Sequence, residues 1–164
     1  MAYLRYHTHI ATSIAAGAGV AIQTDVSFTF PYVVGIAIGS LLPDIDEPNS
    51  YVGRRSFGLA KVIKGIFGHR GITHSLLVCG LIFYLYQLYP YEWLFGIACG
   101  YIFHVIGDFF SKRGVPLFWP IVRKKIKSPL TYETGKPSEQ LIFYIAIGLI
   151  IYFLYKYSLY SQLF

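Results

Sequence analysis

Histidine and aspartate recur in this chain at spacings that suit a metal ion. His104 and Asp108, in HVIGD, stand at i and i+4, so both side chains leave one helix face. They would serve as two ligands of one metal, or as a ligand and the carboxylate that orients it. The plain alternative is a His–Asp hydrogen bond inside a bundle. In LLPDIDEPNS, Pro43 ends the preceding helix at Leu42 and Pro48 keeps the segment extended. An extended backbone points Asp44 and Asp46 to opposite sides, one to coordinate and the other to orient a ligand, unless the segment is only a polar helix-ending turn. In HRGITHS, His69 and His74 are separated by about 140° around a straight helix. They can converge only if His69 lies in a loop, with Gly71 relieving the turn and the helix starting near Thr73. Arg70, between them, is a planar cation suited to bidentate contact with phosphate. His7 and His9 point roughly opposite ways on the first helix, and the deeper His9 is preferred, with His7 the weaker candidate.

Nitrogen with carboxylate ligation favours zinc, manganese or iron(II) over calcium. Haem held by His9, His74 and His104 is the rival, and the neighbouring carboxylates argue against it because haem uses none. A transport site is disfavoured, since such sites lie at mid-membrane between broken helices.

The elements that must position these residues are apolar. The chain has 164 residues, enough for one domain, with 55% hydrophobic and only 13% charged residues. A soluble domain carries about 25% charged residues. With a mean hydropathy of +0.51, composition rules out a disordered coil and points away from a soluble monomer. Five apolar stretches stand out: Tyr6–Ile22, Phe30–Leu42, Ile72–Tyr89, Tyr91–Phe110, and a last one from Glu139 through Tyr155. The third to fifth reach the roughly 20 residues of a spanning helix, the first is marginal and the second is short. A cleaved signal peptide is disfavoured for the first, because cleavage would discard two of five histidines. If all five cross, thirteen of the fourteen basic residues fall on the N-terminal side, leaving only Lys156 opposite. The positive-inside rule makes that side cytoplasmic. All five histidines and three of four aspartates then lie at that same depth. Val52–Phe67 predicts a short amphipathic helix, with Lys61 and Lys64 toward headgroups and Leu59, Val62, Ile63 and Ile66 inward. Ser128–Ser138 reads as loop. Cys79 and Cys99 lie in apolar runs without a CxxC and read as small buried hydrophobes. The net charge of +6 sits in two loops without a recognition element for nucleic acid.

Taken together, Thr8–His9, LLPDIDEPNS with Gly53, Arg54 and Arg55 after it, HRGITHS and HVIGDFFSKRGVPLFWP (His104–Pro120) resemble the YdjM-like family of inner-membrane-associated, metal-dependent hydrolases. The resemblance covers most of residues 8–120 and says little of 121–164, a basic loop and an apolar helix. That family is distantly similar to zinc-dependent phospholipases C and single-strand nucleases, all-α proteins that cleave phosphate esters with clustered metals. The resemblance implies His9, Asp44, His69, His74, His104 and Asp108 as metal ligands, with two or more ions, and Asp46 as ligand or ligand partner. Ser111 stands where Thr is more usual.

The expectation is therefore a single all-α domain over 1–164, a polytopic membrane bundle of about five helices with a metal site at their cytoplasmic ends. It would hydrolyse a phosphate ester of a lipid or other amphiphile. Asp46 and Arg70 are the catalytic candidates, and Arg54, Arg55 and Arg70 would neutralise substrate charge. The metal would be zinc before manganese or iron. Two further readings stand beside it: a metal-stapled membrane protein that binds anionic lipid without turnover, and a haem protein.

Overall fold

Each of the five apolar stretches becomes a helix whose limits follow from local chemistry. In the computed structural model, which describes residues 4–68 and 70–163, α1 runs Leu4–Gln23 and α2 Phe30–Gly39. Further along come α3 (Leu59–Phe67), α4 (Leu76–Leu88), α5 (Glu92–Phe109) and α6 (Pro137–Lys156). The side chain of Thr29 caps α2, accepting from the Tyr32 amide, and donates to Glu92 at the start of α5 (2.7 Å). Pro90 separates α4 from α5, and Pro137 occupies the first turn of α6. No β-strand occurs among the described residues; two isolated bridges, Ser111 with Tyr132 and Val115 with Ile126, fold the segment after α5 back on itself.

Helix α5 is the centre, packing on α2, α1 and α4, while α6 leans on α1. The α2–α5 contact is backbone to backbone. Gly35 and Gly39 on α2 face Gly96 and Gly100 on α5, two G-x-x-x-G pairs. A Cβ at any of the four would lie 2.2 Å from a backbone oxygen of the other helix. Only glycine permits this approach. Apolar side chains fill in around it: Tyr32, Ile36, Ala18 and Cys99 on one side, Cys79, Tyr101, Val105 and Val115 on another. Cys79 and Cys99 are buried free thiols, as expected.

Two expectations about these elements change. Among the described residues, only Pro137–Lys156 is long and apolar enough to cross a membrane. The third stretch shortens to the 13 residues of α4 because a 3₁₀ turn, Ile72–His74, takes its start. At 1.5 Å per residue that is about 20 Å, short of the roughly 30 Å hydrocarbon layer. Helices α1 and α5 have the length, but both carry polar side chains of the site. The predicted amphipathic helix forms as α3, but it seats through Ala60. Leu59, Val62 and Ile66 are 49%, 56% and 68% exposed rather than inward, and Lys64 pairs with Glu47 at 3.1 Å.

The distribution of polarity is inverted relative to a soluble domain. His74, His104, Asp46 and Asp108 are essentially fully buried, whereas Leu141, Ile145 and Ile151 of α6 lie open.

Candidate metal centre

Four elements deliver side chains to one point. Helix α1 contributes His9, the 3₁₀ turn Leu42–Asp46 contributes Asp44, the turn Ile72–His74 contributes His74, and α5 contributes His104 and Asp108. His9, His104 and Asp108 offer ligand atoms within 4.8 Å of one another, and so do Asp44, His74 and His104. His104 belongs to both sets. Asp108 Oδ2 is 3.2 Å from His74 Nε2 and 3.7 Å from His104 Nε2, and its Oδ1 is 3.6 Å from His9 Nε2. Asp44 Oδ1 is 3.9 Å from His104 Nε2.

The orientation of these rings follows from what holds their far sides. His104 Nδ1 is 2.6 Å from the Ser40 carbonyl. A carbonyl only accepts, so Nδ1 carries the proton and Nε2 turns toward the cluster. Ser40 follows Gly39, so the glycine contact between α2 and α5 sets this bond. Thr73 donates its hydroxyl proton to Asp46, and its oxygen lies 3.0 Å from His74 Nδ1. His74 Nδ1 is therefore the donor in that pair, and its Nε2 faces inward. Asp46 also accepts from the Arg70 amide at 2.9 Å. Such outer partners fix ring orientation at metal sites.

Three of the inward atoms, His74 Nε2, His104 Nε2 and Asp108 Oδ2, are buried and make no hydrogen bond, although His74 Nε2 and Asp108 Oδ2 face each other as a charge pair at 3.2 Å when His74 is protonated. Burying polar atoms unpaired costs about 1–3 kcal/mol each. Two imidazole nitrogens and a carboxylate oxygen facing one another fit a divalent cation of the zinc, manganese or iron(II) kind. The His9 and His104 rings stack at 4.0 Å, so as they stand no porphyrin lies between that pair.

Arg70 is held differently from its predicted role. It is 7% exposed, at φ 54°. Its Nη2 donates to Asp108 Oδ1 at 2.7 Å, and its Nη1 donates to Ser111 Oγ (3.0 Å) and to the Gly114 carbonyl (3.2 Å). The two terminal nitrogens are thus committed to protein acceptors and fix Asp108, while Nε is buried without a partner and the residue also lines the pocket beside the cluster. Asp46 faces the back of His74 rather than the cluster, so geometry places it behind a ligand. The Leu42–Asp46 segment is a 3₁₀ turn, not an extended strand. At three residues per turn, side chains two apart still diverge by about 120°, so Asp44 and Asp46 separate as expected. His7 is exposed against the Tyr6 ring, away from the cluster. His69 lies outside the described residues.

Beside the cluster opens a pocket of about 290 Å³, reached by His9, Asp44, Asp108, Arg54, Arg70 and Arg113. Arg54 is where the sequence suggested. Arg55 instead lies over the Tyr51 ring, 3.9 Å from its centroid, and donates to the Tyr51 carbonyl. Arg113, Thr73, Ser40 and Tyr101, which donates to the Thr73 carbonyl, were not singled out. Arg113 and Ser111 lie within the HVIGDFFSKRGVPLFWP run and Thr73 within HRGITHS, but a motif does not say which members face inward.

Charge around the cluster is felt outside the long helices. In the turn ahead of α4, burial lowers the His74 pKa, but Asp108 and Asp46 outweigh it and raise it to about 9. Burial, with the charge of Asp108, pushes the Tyr132 phenol up. Burial, with Arg70, holds Lys125 below its usual range.

The family described as "YdjM inner membrane protein" matches residues 4–163, and the chain belongs to that family. It is 41% identical over 110 residues to the inner membrane protein YdjM of Escherichia coli (strain K12), covering 62% of this chain and 56% of that protein. It is 37% identical over 108 residues to the uncharacterized protein YvsG of Bacillus subtilis (strain 168), covering 65% of this chain and 67% of that one. The match thus spans little more than half the length of its E. coli relative. No solved structure matches the chain.

Proposed function

We propose that this member of the YdjM family is a membrane-embedded, metal-dependent hydrolase that cleaves a phosphate ester of a lipid or other amphiphile. The observation that carries the reading is the trio of buried atoms that make no hydrogen bond, His74 Nε2, His104 Nε2 and Asp108 Oδ2, facing one another beside a pocket with arginines on its wall. His74, His104 and Asp108 would hold the metal, with His9 and Asp44 completing the two overlapping sets and so allowing more than one ion. A divalent cation there would polarise phosphoryl oxygens and lower the pKa of a water molecule from 15.7 toward about 7. Zinc suits the donor set first, manganese and iron next.

The protein's own groups have separate tasks. Ser40 and the Thr73–Asp46 pair orient the two imidazoles. Arg70 balances one oxygen of Asp108 and leaves the other for the cluster, so it is a positioning residue. Arg54 and Arg113 stand where a phosphate's charge would need neutralising.

Several features support membrane embedding beyond α6. The glycine-to-glycine contact of α2 and α5 is a packing mode of membrane helices. Apolar side chains line the outside of α4 and α6 while Asp46, Arg70, Asp108 and Glu139 are buried. The E. coli relative is named an inner membrane protein, and the basic loops favour a site on the cytoplasmic side.

The test is metal content by plasma mass spectrometry, with turnover of phosphomonoesters and phosphodiesters measured beside it. Wild type should carry at least one zinc, manganese or iron per chain, and His104→Ala and Asp108→Ala should lose both metal and turnover. Full activity in His104→Ala refutes the reading. The four-element junction also favours a second one, a metal staple that binds anionic lipid without catalysis. Stoichiometric metal with no turnover of any phosphoester would establish that instead.

A further inference from the structure

Two apolar cavities follow α1 where it faces α5 and α6, of about 280 and 550 Å³. Thr12, Ala16, Phe103 and Ile142 line both, so they are successive parts of one groove. Its upper end reaches Thr8, His9 and Tyr132, and its lower end Gln23 and Phe153. His9 also lines the arginine-bearing pocket beside the metal cluster. A polar chamber, walled by Arg54, Arg70 and Arg113 together with Asp44, Glu47 and Asp108, and a long apolar groove therefore meet at one histidine ring.

The walls suit hydrocarbon. The Thr12 hydroxyl donates to the Thr8 carbonyl at 2.8 Å, so it makes no polar demand on an occupant. Ala15, Ala16 and Gly19 keep the α1 wall low, and a Cβ at Gly19 would meet nothing within 4 Å. From Thr8 to Gln23 the α1 wall is about 22 Å long at 1.5 Å per residue. That exceeds the roughly 15 Å half-thickness of bilayer hydrocarbon, so one whole acyl-length chain fits along it.

We propose that this groove takes the hydrocarbon chain of a phosphorylated lipid, with the phosphate in the arginine-bearing pocket and His9 at the junction. The inference rests on the hydrolase reading for the placement of the phosphate, and it narrows that reading's lipid or other amphiphile to a phosphorylated lipid whose chain lies in this groove. Chain length is then measured by the groove itself. Each methylene that enters should tighten binding about fourfold until the groove is full. A side chain added at Gly19 fills the lower part and leaves the upper part and the pocket unchanged.

The experiment is calorimetric binding of n-alkyl phosphates, octyl to hexadecyl, kept below micelle formation, to detergent-solubilised full-length protein. Wild type, Gly19→Phe and the smaller Gly19→Leu are compared, with metal content measured on each. The expected result is a wild-type affinity that climbs with chain length to a plateau. In Gly19→Phe the plateau comes at a shorter chain, octyl phosphate binds as in wild type, and metal content is unchanged. Gly19→Leu should fall between, and it serves alone if the bulkier variant does not fold. Affinity independent of chain length, or the same length dependence in all three proteins, overturns the proposal. A length dependence that shifts in the variants, with no hydrolysis of any ester, supports the groove while refuting the hydrolase reading. Hydrolysis of short and long esters alike, with flat binding, does the reverse.

Discussion

The backbone contact between α2 and α5 makes a sharp prediction at Gly100, one helical turn before His104. In Gly100→Ala the new Cβ would lie 2.2 Å from the Ile36 carbonyl oxygen and 2.9 Å from that residue's carbonyl carbon and Cα. Ordinary contact begins near 3.4 Å, so the helices must part by more than 1 Å. Neither obstacle is the end of a flexible side chain. Such overpacking typically costs about 1–3 kcal/mol. The same displacement carries His104 Nδ1 from 2.6 Å beyond hydrogen-bond range of the Ser40 carbonyl. Loss of an outer partner of a metal-bound histidine usually lowers metal affinity about 10–100-fold. Helix propensity works the other way, favouring Ala over Gly by about 1 kcal/mol. Gly148→Ala, where the added carbon meets nothing within 4 Å, isolates that term. The assays are thermal unfolding in detergent by near-ultraviolet circular dichroism and zinc competition against a chromophoric chelator. Gly100→Ala should melt earlier and bind zinc at least tenfold more weakly, while Gly148→Ala should match or exceed wild type in both. Wild-type melting and zinc affinity in Gly100→Ala would refute the reasoning.

The remaining predictions concern the cluster directly. Arg70→Met removes the partner of a carboxylate that is 1% exposed, and breaking a buried pair costs about 3–5 kcal/mol. Chemical denaturation of the metal-free protein should read a loss of that order. With its pKa raised to about 9, His74 holds a proton at neutral pH when no metal is bound. Zinc binding should then release a proton and tighten as pH rises toward 9, which titrations in buffers of different ionisation enthalpy will detect. By the same sign, metal-free stability is full below the unfolded histidine pKa of about 6.5 and falls as pH climbs through 9. His7→Ala should leave metal content unchanged and His9→Ala should lower it, measured by plasma mass spectrometry.

Much of this protein is legible in its residues alone. Apolar runs and the prolines at 43 and 90 mark five helices, because burial and backbone hydrogen bonding are short-range demands that periodicity records; Pro137, read as loop, instead opens α6. Residue chemistry and spacing also brought forward His9, Asp44 with Asp46, His69, His74, His104 and Asp108 and ranked His7 below His9, while the family resemblance supplied the choice of Asp44 over Asp46 as ligand. The glycines at 35/39 and 96/100 carry no signal of partnership in the sequence alone, and only the tertiary structure sets them against each other. What the fold alone decides is direction. Asp46 lies behind His74, Arg70 grips Asp108, Arg55 stacks on Tyr51 and Arg113 reaches the pocket. None of these follows from sequence neighbours, because each depends on contacts between residues tens of positions apart. Local sequence sets which groups a turn or helix carries. Which of their atoms meet depends on how closely the helices approach, and here that distance is set by four missing side chains between α2 and α5.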